Sequence, residues 1–366
     1  MQWSQNRLMN FSQPLLNIKN QHLYRQATIA DGACVDFCSN DYLGLKNHPQ
    51  MIEAFKRGAD EFGVGAGASH FISGHTGAHQ ALEEALADYT GCEKAVLFST
   101  GYMANLGVFS ALKSELDWVL QDKLNHASLI DANHLIGLPL QRYLHNNMAS
   151  LRKKAGKQQG QGLIVTDNVF SMDGDRADIS ALDKVAKKTD ALLMQDDAHG
   201  FGVFATTIPK QSIYMATLGK AVGAMGAFVA GDEDLIDFLM QKSRPYIYTT
   251  AIAPALCIAT LQSLELIKLG GQNAKLLANI AFFQKFSQSI SLPFAKSDSA
   301  IQPLIIGDSA RTLKISRTLF ERGFQVGAIR SPTVAKGTER LRITLNANHT
   351  KQQIEQLLTH IKYALQ

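Results

Sequence analysis

Residues 191–230 read ALLMQDDAHGFGVFATTIPKQSIYMATLGKAVGAMGAFVA. The stretch holds three short apolar runs, Ala191–Met194, Ile213–Ala216 and Ala227–Ala230. Each is too short for a helix and is bounded by small or polar residues, the pattern of a buried strand. The first two runs end in polar clusters, Asp196-Asp197-Ala198-His199-Gly200 and Thr217-Leu218-Gly219-Lys220. Upstream the pattern repeats in Ala95–Ser99, Trp118–Gln121 and Leu163–Thr166, with helical stretches between them. Buried strands alternating with helices imply an α/β chain with a mainly parallel central sheet. In such sheets the functional loops gather at the carboxyl ends of the strands.

Outward from this core the chain divides in three. The first forty or so residues read as a polar arm ending at Ser39-Asn40-Asp41-Tyr42-Leu43-Gly44. A helix is expected over 50–61. Leu82, Ala85, Leu86 and Tyr89 form the stripe of a second helix, with Gly91 to end it. After about residue 265 the pattern restarts. Strands are expected at Gln302–Ile306, Phe324–Ile329 and Leu341–Leu345, with a helix over Ser309–Arg322. The last helix carries Ile354, Leu357, Leu358, Ile361 and Leu365 on one stripe, and Thr350 with Gln353 supplies a capping box. The expected partition is an arm (1–45), a large domain (46–265) and a smaller C-terminal α+β domain (266–366).

The chain has 366 residues, 46% hydrophobic and 19% charged, which is an ordinary soluble composition. It holds no run approaching the roughly 20 apolar residues of a membrane span. Met1 to Asn10 lacks an apolar signal core, so a cytoplasmic location and no membrane partner are expected. Cys34, Cys38, Cys92 and Cys257 are too scattered for a disulfide framework and read as free thiols. A net charge of +4 with no basic stripe argues against a nucleic-acid partner. Arg152, Lys153, Lys154 and Lys157 read as a solvated helix end; the sharper alternative is attraction for a polyanionic substrate such as a coenzyme A ester.

Two motifs are decoys. Gly63-Val64-Gly65-Ala66-Gly67-Ala68 fits the dinucleotide fingerprint loosely, but it follows a helix instead of a strand. His75 and His79 have i, i+4 spacing with His70 nearby, yet a metal site would need a third ligand and helical geometry through Gly77. No metal is expected.

The strand-end clusters carry the chemistry. Lys220, behind a buried strand and flanked by glycines, either snorkels to solvent or is an amine with a lowered pKa, ready to form an imine with an aldehyde. Asp196, Asp197 and His199 together suggest that a cationic ring is held there. A buried carboxylate beside a pyridine nitrogen keeps that nitrogen protonated, each pKa unit corresponding to about 1.4 kcal/mol. Ser99-Thr100-Gly101-Tyr102 opens a helix and offers backbone N–H groups to a phosphate, as any strand–helix turn can. His126, in Asn125-His126-Ala127-Ser128, could lie flat on an aromatic ring or be an ordinary surface or core histidine. Arg340-Leu341-Arg342-Ile343-Thr344-Leu345 alternates, so its arginines either fork a carboxylate or line a solvated strand face.

Taken together and in order, SNDYLGL (39–45), SHFISGHTGAHQALEEALADYTG (69–91), STGYMAN (99–105), LNHASLID (124–131), VFSMDGD (169–175), DDAHGFGV (196–203), TLGKAVG (217–223) and RLRITL (340–345) resemble the α-oxoamine synthases, pyridoxal 5′-phosphate (PLP) enzymes of fold type I. The resemblance spans about Asn40 to His349. It implies the fold type I architecture, with PLP as cofactor. It makes Lys220 the Schiff-base lysine, puts Asp196 at the pyridine nitrogen and His199 at the ring hydroxyl with Ser171 close by, and stacks His126 on the ring. Gly101, Tyr102 and Thr217 would hold the phosphate, joined by Thr249 or Thr250 from the second subunit of a homodimer with shared active sites. Asn40, Arg330 and Arg342 would meet the substrate, Arg342 taking the amino-acid carboxylate.

Within the family, SHFISGHTGAHQALEE and Ser331-Pro332-Thr333-Val334 point to the biotin-pathway member, which joins L-alanine to a pimeloyl thioester carried on coenzyme A or acyl carrier protein. Glycine C-acetyltransferase or another α-oxoamine synthase chemistry is the alternative, serine palmitoyltransferase and 5-aminolevulinate synthase being less similar, and an inactive scaffold subunit or a PLP aminotransferase are readings of other kinds. Asp167-Asn168 stands where the family usually has a glutamate-led pair, and Phe201 where it has a threonine.

Overall fold

The computed structural model describes residues 11–366 apart from 22, 28, 30 and 31. Residues 1–10 of the expected arm therefore lie outside the described residues. In chain order the strands are β1 (Val35–Asp36), β2 (Lys94–Phe98), β3 (Trp118–Asp122), β4 (Gln141–Tyr143), β5 (Gly162–Asp167), β6 (Ala191–Asp196), β7 (Ser212–Thr217), β8 (Ala227–Gly231), β9 (Ile301–Ile305), β10 (Phe324–Gln325), β11 (Gly327–Ile329) and β12 (Arg340–Thr344).

Seven of them form one sheet in the order β2-β8-β7-β6-β5-β3-β4. Every pairing is parallel except those of β8, which runs antiparallel to both β2 and β7. Successive strand residues point to opposite faces, and the apolar side chains divide accordingly. Leu97, Tyr214, Ala216, Phe228 and Ala230 pack on the face shared with Leu82 and Leu86 of the Gly77–Thr90 helix. Val96, Phe98, Ile213, Met215, Ala227 and Val229 pack on the face shared with Val108 and Phe109 of the Gly101–Leu112 helix and Leu129 of the Ala127–Ile136 helix. With both faces covered, the strands are continuous apolar runs instead of alternating ones, which is why they stand out in the sequence. A fully buried Phe228 makes Phe228→Ala a loss of about 3–5 kcal/mol.

The smaller lobe carries an antiparallel sheet in the order β11-β12-β9. The last helix spans Lys351–Leu365, starting from the Thr350–Gln353 capping box. Here one expectation is corrected: Phe324–Ile329 is not a single strand. The chain changes partner at the buried Val326, whose carbonyl accepts the Ser316 hydroxyl at 2.8 Å. β10 pairs in parallel with β1, and β11 pairs with β12. Val35 and Asp36, placed in the arm by sequence, are thus tied by backbone hydrogen bonds to the smaller lobe. The arm also holds a helix, Ser12–Asn20, that polarity alone did not suggest. Arg152, Lys153 and Lys154 fall in the last turn of the Met148–Ala155 helix, as the plainer reading expected. Among the described residues no helix is long and apolar enough to cross a membrane.

Candidate active site

β6 ends at Asp196 and β7 at Thr217, so the neighbouring parallel strands deliver both polar clusters to one edge of the sheet. Asp196 is buried. Its Oδ2 accepts the Asn105 amide N–H at 2.9 Å, and its Oδ1 accepts the Ala198 backbone N–H at 3.0 Å. Asn105 also donates to the Ser128 hydroxyl at 2.8 Å. Asp197 has another task. The hydroxyls of Thr206 and Tyr214 each donate to its Oδ2 at 2.7 Å. Burial raises its pKa to about 6 against those hydrogen bonds.

Lys220 lies in the turn after β7. Gly223 closes that turn with φ +74, and a Cβ on it would stand 2.5 Å from the Lys46 nitrogen. No larger residue could let the Ser39–Lys46 segment pack so closely behind the lysine. Burial pushes the Lys220 amine down from its ordinary value, with Asp196 and Asp167 pulling the other way. Burial also drives His199 well down, helped by Lys220 and Arg342. Both side chains are thereby shifted toward their neutral forms.

The two share a cavity of about 160 Å³ with Gly101, Tyr102, Asn105, His126, Ser128, Asp167, Asp196, Ala198, Met215 and Thr217. His126 caps the Ala127–Ile136 helix through Ser128, its Nδ1 lying 2.8 Å from the Ser128 Oγ. At the cavity's other wall the Gly101–Leu112 helix begins, with Thr100 as its cap. A Cβ on Gly101 would sit 2.5 Å from Thr217 Cγ2, so only glycine lets the helix start approach the end of β7. The Tyr102 hydroxyl is engaged by Asp131.

The remaining expected site residues divide. Asn40 and Arg342 reach the cavity through a relay. The Tyr42 hydroxyl lies 2.5 Å from His199 Nδ1 and donates to Asn40 Oδ1 at 3.2 Å, an oxygen that also accepts Arg342 Nη2 at 3.1 Å. Arg342 is buried against the 169–175 loop and donates its Nε to the Ser171 carbonyl at 2.6 Å. Ser171 thus contributes a carbonyl here, and its side chain is not among the cavity walls. The arginines of β12 line neither a core face nor a solvated one: Arg340 pairs with Asp173 at 2.6 Å. Arg330 lines a separate cavity of about 610 Å³ with Lys19, Tyr24 and Arg25. Thr249 and Thr250 lie outside the cavity, and Thr250 bridges Ser69.

Sequence reasoning assigned no role to Asn105, Tyr42 or Asp167. A lone amide in the apolar run GYMANLGVFSAL was a usable signal for Asn105. Nothing local marked Tyr42, whose partner His199 is 157 residues away. The His75–His79 pair does not share a helix face, because the helix starts at Gly77 and His79 is drawn into its capping box with Thr76. Ligand atoms of His70, His75 and Glu83 do lie within 4.8 Å of one another. Those residues have partners of their own: His70 and His75 share a hydrogen bond of 2.9 Å, and Glu83 accepts the Leu97 N–H at 3.0 Å.

Residues 33–361 match the family model for class I and II aminotransferases. An 8-amino-7-oxononanoate synthase of Pseudomonas fluorescens is 50% identical over 93% of this chain and 92% of its own length. The chain belongs to the 8-amino-7-oxononanoate synthase family. Another member, from Pseudomonas putida strain GB-1, is 52% identical over 88% of this chain and 86% of its own. Among solved structures, the 8-amino-7-oxononanoate synthase of Francisella tularensis superposes with a TM-score of 0.79 at 32% identity, covering 92% of this chain and 98% of that one. A serine palmitoyltransferase of S. paucimobilis with bound PLP and myriocin gives 0.86 at 28% identity over 90% and 87%.

PLP is the cofactor of this family. The donor set fits it: a deep amine for the aldehyde, a hydrogen-bonded carboxylate for the ring nitrogen, imidazoles for the ring, and a glycine-opened helix start for the phosphate.

Proposed function

We propose that the chain condenses L-alanine with a pimeloyl thioester, giving 8-amino-7-oxononanoate, carbon dioxide and the free thiol of coenzyme A or acyl carrier protein. The observation that carries the reading is the single cavity gathering Lys220, Asp196, His126 and His199 at the strand ends of a chain half identical to curated 8-amino-7-oxononanoate synthases.

Bound PLP supplies an electron sink for the charge that develops at the amino acid's α-carbon. The chain's residues do the rest. Lys220 anchors the aldehyde, and its depressed amine, once free, takes the α-proton and later returns one. Asp196, oriented by Asn105 and the Ala198 N–H, holds the proton on the ring nitrogen. His126 would stack on the ring. His199, held by Tyr42, would address the ring hydroxyl, with Ser171 close by. Gly101, Tyr102 and Thr217 would hold the phosphate, and Thr249 or Thr250 of a second copy would complete the cradle in a homodimer. Arg342 takes the substrate carboxylate. Its guanidinium has five N–H donors. Nε, Nη1 and Nη2 each spend one, on Ser171, Thr344 and Asn40. The two terminal nitrogens carry four of the five donors, more than Thr344, Asn40 and the neighbouring Tyr42 use, and an arginine fork suits a carboxylate. Asn40 and Arg330 meet the rest of the substrate. The cofactor would belong to a large domain of 46–265, next to a smaller C-terminal domain of 266–366.

The test is thiol release from purified holoenzyme offered L-alanine with pimeloyl-coenzyme A and with pimeloyl-acyl carrier protein. Release with one of them, dependent on alanine, supports the reading. Release only with glycine and acetyl-coenzyme A would move the chain to glycine C-acetyltransferase chemistry. No release with any pair, in a protein that carries PLP, would favour an aminotransferase or an inactive subunit.

A further inference from the structure

Outside the cavity, the loop after β4 carries His145, whose ring bridges two acids. Nδ1 stands 3.0 Å from Asp122 Oδ1, and Nε2 stands 2.9 Å from Asp175 Oδ2. Asp122 accepts the Leu124 N–H on one oxygen and the Asn146 N–H on the other, both at 2.9 Å. Asp175 also accepts the Asn146 amide N–H at 2.6 Å. Ionised carboxylates only accept hydrogen bonds, so both ring nitrogens donate and the ring is an imidazolium. Burial opposes that charge, but the two acids outweigh it and raise the pKa of His145 to about 10.

Each acid belongs to a segment of the active site. Asp122 ends β3 and shapes the turn that delivers His126: its carbonyl accepts the Asn125 N–H at 3.2 Å and its Oδ1 accepts that of Leu124. Asp175 closes the 169–175 loop, its carbonyl accepting the Phe170 N–H at 3.0 Å. The Phe170 ring stands edge-on to the imidazole at 4.4 Å. The tip of that loop offers the Ser171 carbonyl to Arg342 at 2.6 Å and the Met172 carbonyl to Arg340 at 3.1 Å.

We propose that His145 is a positioning residue for substrate recognition, a fixed cation that fastens the loop bearing Ser171 to the turn bearing His126 and so aims the Arg342 guanidinium at the amino-acid carboxylate. The inference rests on the proposed role of Arg342. A clamp that slackens by about 1 Å can cost on the order of a hundredfold in a site of this kind.

The test compares His145→Gln, Asp175→Asn and the double variant as PLP-loaded proteins. L-Alanine binding is read from the change it causes in the cofactor's absorption band, and the KM values for alanine and for the acyl thioester from thiol release. Each single variant is expected to weaken alanine binding about tenfold or more, to move the thioester KM less than about threefold, and to leave the double variant no worse than the weaker single one. Variants that lose thermal stability yet bind alanine as the parent does would overturn the proposal, as would a double variant whose defect is the product of the two. If the variants do not fold, ¹⁵N-histidine spectra of the parent protein near neutral pH decide: a ring protonated on both nitrogens supports the clamp, and a neutral ring sinks it. Arg342→Lys in the same alanine titration shows separately whether Arg342 reads the carboxylate. A parent protein that releases no thiol would defeat the proposed reaction while leaving the titration intact.

Discussion

Arg342→Lys is the sharpest perturbation of the proposed amino-acid site, because it keeps the charge and removes the fork. The guanidinium makes three hydrogen bonds at once, to the Ser171 carbonyl at 2.6 Å, the Thr344 hydroxyl at 3.0 Å and the Asn40 side chain at 3.1 Å. An ammonium has three donors on one atom and cannot span these partners while also serving a carboxylate in two places. Hydrogen bonds to charged groups contribute about 1.5–3 kcal/mol each. Losing one arm of the carboxylate grip, with some misplacement of the other, should therefore cost about 2–4 kcal/mol. Since every 1.4 kcal/mol is tenfold, the KM for L-alanine should rise by roughly 30- to 1000-fold. The acyl thioester KM should stay within about threefold, because that substrate does not share the carboxylate. The assay is thiol release at saturating thioester across an alanine series, with the cofactor absorption band checked first to show that the protein is loaded. An alanine KM within about threefold of the parent's would refute the assignment of Arg342 and the donor count behind it.

Lys220→Ala should lower thiol release by orders of magnitude and remove the borohydride-sensitive band near about 420 nm that the lysine-bound cofactor gives; parent-like release in that variant would end the Lys220 assignment. Gly101→Ala brings a Cβ to 2.5 Å from Thr217 Cγ2, an overpacking of about 1–3 kcal/mol, and should weaken PLP retention on dialysis about tenfold while the fold survives. The folded pKa of His145, about 10, lies above the ordinary histidine value, so its stabilisation is fully present below about pH 6.5 and is lost as pH rises through 10. Between those limits the parent should lose about 1.4 kcal/mol of stability per pH unit more than His145→Gln, and equal slopes in denaturant titrations would count against the charged clamp. Asp167→Asn removes a carboxyl that burial and Asp196 already push well above the ordinary range, so PLP retention should change less than about threefold; a loss beyond tenfold would show that Asp167 works as an anion.

The strands of the large sheet were legible because they are covered on both faces. Trp118–Asp122 and Ala227–Gly231 are buried throughout, and so Trp118–Leu120 and Ala227–Ala230 read as apolar runs. β4 was not, since it is a three-residue edge strand, QRY, with one buried side chain. The antiparallel direction of β8 was equally hidden, because composition fixes burial and not polarity of pairing. The split at Val326 was invisible for a related reason: no proline or charged residue interrupts Phe324–Ile329, and only the arrival of β1 from 289 residues earlier gives the first half a different partner. Lys220, Asp196 and His199 showed themselves as ionisable side chains placed where strands end. The groups that hold them did not, for Tyr42 and Asn105 look like core residues until their partners fold against them.

The register between β5 and β6 shows how much of the site's electrostatics follows from backbone pairing alone. Asp167 and Asp196 are direct partners across the two strands, so two buried carboxyls end side by side. Two like charges so close in a low-dielectric interior are costly, and the site does not pay that cost twice. Asp196 receives the Asn105 and Ala198 N–H groups on its two oxygens. Asp167 receives one long contact, the His126 N–H at 3.3 Å, and burial with the neighbouring Asp196 pushes its pKa well up. The hydrogen-bond donors are thus gathered on Asp196, the acid proposed to face a bound ring, while its neighbour keeps the same shape and is shifted toward its neutral form.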